Sequence, residues 1–74
     1  MTLRDVKAGQ MVVIKSLWGG FGQRRKLLGL GIYPGEKIKM LQSAGFGGPV
    51  LIEVRGVEVA LGRGIAGKVE VEVD

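Results

Sequence analysis

The sequence predicts a mainly β fold, a small and partly open barrel of about five antiparallel strands with one short helix inserted after the first strand. Runs of strand length recur at 11–16, 36–43, 50–61 and 68–73, rich in β-branched or alternating residues and separated by glycine or proline. One stretch, Gly22 to Gly35, departs from that rhythm. With 74 residues the chain is expected to form one domain over residues 1–74. A chain of that size buries only roughly 60% of its unfolded surface. A sheet that curls on itself is then the economical way to hide its edges.

The first residues, Thr2-Leu3-Arg4-Asp5-Val6, have a cap and a capping-box acid three positions apart, which predicts a brief helical turn with Leu3 and Val6 pointing inward. Gly9-Gln10 ends it. Met11 to Ser16 is apolar on both faces over its first half, so both faces of this strand are expected to be covered. Trp18-Gly19-Gly20-Phe21-Gly22 reads as a glycine-rich loop. In the helix that follows, Leu27, Leu28 and Leu30 make an apolar stripe, and Arg24, Arg25 and Lys26 stand near its start, against the helix dipole. Gly31 suits the left-handed stop position, and Pro34-Gly35 a tight turn.

Glu36 to Ser43 alternates, with Ile38 and Met40 on one face and Lys37 and Lys39 on the other. Ala44 to Pro49 is a loop whose one large side chain is Phe46, read as packing or exposed rather than as a site. Arg55-Gly56 then fits a two-residue hairpin turn. That turn sets Val54 opposite Val57, Ile52 opposite Val59 and Val50 opposite Leu61, all on one face. The other face places Glu53 against Glu58, a like-charge pair costing about 0.2–1 kcal/mol unless solvent or a neighbouring base relieves it. Gly62 to Gly67 predicts a single turn anchored by Ile65, and Lys68 to Val73 a strand with valines inward and charges outward. The order of elements suggests an SH3-like barrel, with an oligonucleotide-binding-fold barrel as the nearest alternative.

Composition narrows the chemistry. The chain has no cysteine and no histidine, which removes thiolate nucleophiles, disulfides and the usual ligands of zinc or ferrous iron, and fits a reducing cytoplasmic setting. Two carboxylates at Glu53 and Glu58 do not make a metal site, since hard ions ask for more oxygen ligands. Acid–base work would need a pocket that shifts one of them. The glycine-rich pieces lack the Gly-Lys-Ser/Thr ending of a phosphate loop. We therefore expect no catalytic residue, no metal site and no cofactor. No stretch approaches the ~20 apolar residues of a membrane span, and the first residues do not read as a targeting segment. The net charge is +4, unevenly spread. Residues 1–40 hold eight bases and two acids, residues 41–74 three bases and five acids, which suggests an acidic partner for the first half.

The candidate contact residues cluster at the helix. Trp18, Phe21 and Tyr33 flank it, and exposed aromatics beside arginines are the composition of interface hot spots. The bland alternative has them plugging the open end of the barrel. Arg24 and Arg25 either form a solvated helix face or meet acidic side chains on a partner. Leu28 stands about 100° round the helix from Leu27, so it is expected to be the exposed apolar anchor while Leu27 is buried.

Leu3 and Gly9, then Arg25, Leu27, Leu30, Gly31, Pro34 and Gly35, then Gly48-Pro49, Gly56, Ala60-Leu61 and Ala66 resemble the FeoA family over nearly the whole chain. That family is the small SH3-like domain of bacterial ferrous iron transport systems. The resemblance implies a cytoplasmic accessory protein for FeoB, a membrane permease with a nucleotide-hydrolysing domain, rather than an enzyme or a metal store. It also implies kinship with SH3-like domains at the carboxyl end of metal-dependent repressors, which leaves a regulatory module as one alternative. Two departures stand out, Gly29 within the helix and the glycines at 62, 64 and 67 where the family has a charged helical turn.

The expectation is thus a protein-interaction module that docks on the cytoplasmic nucleotide-binding part of a FeoB-like permease through Trp18, Phe21, Arg24, Arg25, Leu28 and Tyr33. It does not enter the membrane, and self-association stays open. The other alternative is a nucleic-acid-binding barrel that stacks bases on Trp18, Phe21 or Phe46, with Lys37 and Lys39 on a strand face. The acidic last strand opposes it, so no nucleic acid is expected.

Overall fold

Thr2 caps a 3-10 turn over Leu3–Asp5: the Thr2 hydroxyl accepts from the Arg4 N–H, and the Asp5 carboxylate accepts from the Thr2 N–H at 2.9 Å. The reciprocal cap turns Leu3 and Val6 inward, and both are buried. The computed structural model describes residues 1–43 and 47–74; Ala44, Gly45 and Phe46, and with them the expectation for Phe46, lie outside the described residues. Five strands follow, β1 at Met11–Leu17, β2 at Lys37–Gln42, β3 at Val50–Val54, β4 at Val57–Leu61 and β5 at Val69–Val73. They form one antiparallel sheet in the order β4-β3-β2-β1-β5. Among the described residues β4 and β5 do not pair, so the sheet is a partly open, SH3-like barrel.

Two bulges curve it. On β1, Ile14 faces Val71 and Ser16 faces the next residue back, Glu70, which leaves Lys15 as the extra residue. On β2, Leu41 is extra between Met40 and Gln42. The β3–β4 hairpin takes the register that the turn predicts, from Val54–Val57 to Val50–Leu61. Arg55 at φ 51 and Gly56 at φ 80 make the two left-handed turn positions. The Arg55 guanidinium donates to Glu36 from Nε at 2.8 Å and from a second nitrogen at 3.1 Å, tying the hairpin tip to the turn before β2. The Glu53–Glu58 pair is present, and Lys39 stands next to Glu53 in register on β2. A base flanking the two acids accounts for their tolerance.

Among the described residues fifteen apolar ones are buried, including Val12 and Ile14 of β1, Ile38 and Met40 of β2, and Val69 and Val71 of β5. Three expectations need correcting. Only one face of β1 is covered, because Met11 is exposed and Val13 half-buried. Val57 and Val73 share the inward register yet are exposed, since each sits at the end of an edge strand, open to solvent on the side away from its buried partner. The turn after β4 is a four-residue helix, α2 at Arg63–Ala66, and its fully buried anchor is Ala66, with Ile65 only packed against the core from outside.

Helix α1 runs from Phe21 to Gly29. Gly20 is its N-cap, so Phe21 is the first helical residue rather than part of the loop, and the bases at 24–26 sit in the middle of the helix instead of its first turn. One side chain, Leu27, is buried, worth roughly 1.5–3 kcal/mol. The helix ends in paired closing bonds: the Gly31 N–H donates to the Leu28 carbonyl at 3.0 Å and the Ile32 N–H to the Leu27 carbonyl at 3.1 Å. Gly31 has φ 85, and Ile32 beyond it is buried with Leu27. Gly29 therefore lies inside a closed last turn. A further turn through Pro34 and Gly35, with φ 92 at Gly35 and the Glu36 N–H on the Tyr33 carbonyl at 3.0 Å, delivers the chain to β2.

Candidate functional site

Because α1 buries only Leu27, its outer face is left to form one wall of an open groove whose other wall is the end of β1. The groove has a volume of about 690 Å³ and is lined by Lys15, Ser16, Leu17, Phe21, Arg24, Arg25, Leu28 and Pro34. Helical spacing explains the wall: Phe21, Arg24, Arg25 and Leu28 recur at intervals of three and four and so share a face. Leu17, half-buried and packed against the core, makes the floor. Phe21 is 75% exposed, the most exposed large apolar side chain among the described residues, and Leu28 38%.

The rim is cationic. Arg24 and Arg25 make no ion pair among the described residues, whereas Lys15 lies 3.5 Å from Glu72. Lys15 is the extra residue of the β1 bulge, and the bulge shifts the register of Ser16 and Leu17 beyond it, so that Leu17 pairs with Val69 and packs against the core. The groove thus offers apolar area beside exposed positive charges. No group of three or more acids among the described residues could hold a metal ion.

Of the six residues expected from the sequence, four come together here, Phe21, Arg24, Arg25 and Leu28. Trp18 and Tyr33 do not line the groove. Trp18 is 57% exposed and its indole N–H donates to Glu70 at 3.0 Å, the carboxylate that also accepts from Ser16 at 3.4 Å. Tyr33 is 44% exposed and precedes the lining residue Pro34. The three aromatics are on the surface, so none plugs the barrel. Lys15, Ser16, Leu17 and Pro34 are groove residues that the sequence reading did not single out; the short link from β1 to the helix was the signal that they would lie beside it.

Fold and groove define a class: a small SH3-like domain with an open, cation-rimmed apolar groove on an inserted helix. The chain belongs to the FeoA family, whose model, the FeoA domain, matches residues 1–73. It is 38% identical over 70 residues, 95% of its own length and 83% of the relative's, to "Putative Fe(2+) transport protein A" of Methanocaldococcus jannaschii. A crystal structure of the iron uptake regulatory protein FeoA matches with a TM-score of 0.90 and 36% identity, over 97% of this chain and 95% of that one. The apo form of the manganese-activated repressor ScaR matches with a TM-score of 0.89 and 26% identity, over 100% of this chain and 35% of the repressor. No helix among the described residues is long and apolar enough to cross a membrane.

Proposed function

We propose that this protein is an accessory component of ferrous iron uptake, and that it docks on the cytoplasmic nucleotide-binding part of a FeoB-type permease through the groove between β1 and α1. The observation that supports the reading most is the groove itself: Phe21 and Leu28 exposed beside Arg24 and Arg25, with neither arginine in an ion pair among the described residues. Exposed aromatic and aliphatic anchors supply affinity once desolvated. The arginines steer an acidic surface into register and raise the association rate. The family and the Fe(2+) transport relative supply the context.

The nucleic-acid reading is weaker. Lys37 on the β2 face pairs with Asp74 at 3.0 Å, and Lys39 neighbours Glu53, so that face is not a basic track. The test is a titration of isotope-labelled protein with the cytoplasmic nucleotide-binding domain of a FeoB permease, with and without guanine nucleotide. Amide shifts confined to 15–17, 21–28 and the two neighbours of Pro34, Tyr33 and Gly35, are expected. Shifts centred on another face, or none at all alongside salt-sensitive binding of single-stranded nucleic acid, would reject the reading.

A further inference from the structure

A second cleft shares no lining residue with the groove and stands where the 3-10 turn meets α2. It is lined by Thr2, Arg4, Asp5, Arg63 and Gly67, with a volume of about 370 Å³. We propose that this cleft binds a phosphoryl group between the guanidinium groups of Arg4 and Arg63, independently of any docking at α1.

Both arginines stand on anchored backbone. Arg4 follows Leu3, and Arg63 opens the helix whose Ala66 is buried; Leu3 and Ala66 are each at 0% exposure. Both side chains also lie close over glycines. A Cβ on Gly67 would come within 3.0 Å of Arg4 Cδ, and one on Gly47 within 3.4 Å of an Arg63 terminal nitrogen. Gly67 lines the cleft, so its missing Cβ leaves room for the Arg4 side chain to lie along it.

The charge balance favours an anion. Neither arginine is in an ion pair among the described residues. Asp5 is the one acid of the lining, and its Oδ2 is already engaged by the Thr2 N–H at 2.9 Å and the Thr2 hydroxyl at 3.5 Å. Two cations therefore face one occupied carboxylate. A carboxylate brings one charge and two oxygens to two guanidinium forks, whereas a phosphoryl group brings three oxygens and up to two charges and so matches the pair better. Free phosphate and the terminal phosphate of a nucleotide both meet that description.

The test is a titration of isotope-labelled full-length protein with inorganic phosphate and, separately, with adenosine diphosphate, each against sodium acetate at matched ionic strength. Saturable amide shifts at residues 2–5 and 62–67 are expected with phosphate or with the nucleotide; the tighter of the two identifies the source. Arg4→Gln and Arg63→Gln should each weaken binding roughly tenfold, and the double variant should abolish it. Both residues are exposed, so the variants should keep the dispersed spectrum of the native fold. Three results would overturn the proposal: no saturation at these residues, an equal response to acetate, or an equal loss in Lys26→Gln, which removes the same charge elsewhere.

Discussion

Gly29 and Gly31 stand two residues apart at the end of α1, and the structure assigns opposite signs to the same substitution at the two positions. Gly29 is the last residue of the helix, and a Cβ there meets nothing within 4 Å. Alanine should recover up to about 1 kcal/mol of helix propensity. Gly31 is at φ 85 and closes the helix. A Cβ there meets only Val54 Cγ1 at 3.7 Å, an ordinary contact, so the penalty is conformational rather than steric. A left-handed L-residue costs roughly 1–2 kcal/mol, partly offset by the stiffer unfolded chain. For a protein of this size about 1 kcal/mol corresponds to about 4–8 °C in Tm. Circular-dichroism melts should show Gly29→Ala raising Tm by up to that amount and Gly31→Ala lowering it by a similar or larger one. Shifts of the same sign would refute the closing geometry. A neutral Gly29→Ala would remove the claim that glycine weakens this helix.

Leu28→Ala should leave stability within about 1 kcal/mol of wild type yet reduce permease binding, whereas Leu27→Ala should cost about 2–5 kcal/mol because Leu27 is buried; equal losses of stability in the two would place Leu28 in the core. Arg25→Glu should slow association by roughly tenfold or more at low salt and flatten its salt dependence, read by stopped-flow mixing. A variant that changes only the dissociation rate would contradict steering. The hydrogen bonds and charge of Arg55 hold the Glu36 carboxyl below its ordinary 4.5. A carboxyl held low adds stability above its unfolded pKa and loses it as pH falls through the folded one. Between about pH 5 and pH 3 the Tm of wild type should therefore fall more steeply than that of Glu36→Gln, and parallel curves would dismiss the pair.

The hairpin was readable because a period of two and a two-residue turn leave one register that keeps Val50, Ile52 and Val54 on one face. The helix was readable from its broken rhythm, and Gly31 and Pro34-Gly35 from the backbone angles they permit. What escaped is set by tertiary placement. Alternation says which way Val57 and Val73 point but not that the ends of edge strands leave them open to solvent. Nothing local marks Lys15 as the extra residue of a bulge, since that depends on Glu70 and Val71 across the sheet. The entry to α1 was misplaced by one residue because Gly20 caps without a side-chain bond, leaving no signal beyond glycine itself. Phe21, Arg24, Arg25 and Leu28 could be grouped from helical spacing alone. Separating Trp18 from them required the position of Glu70, which holds its indole.

The pairing of β1 with β5 brings Val12 opposite Val73 across most of the chain, whereas β3 and β4 meet across two residues. Loop closure makes the distant pairing the slower to form. In pulse-labelled refolding, amides of β3 and β4 should gain protection before those of Ser16 and Leu17, and the reverse order would contradict this. Ser16 and Leu17 belong to the groove, so the groove is completed late. A half-folded chain would lack the wall that Ser16 and Leu17 supply, and a partner that needs the whole groove would engage only finished molecules.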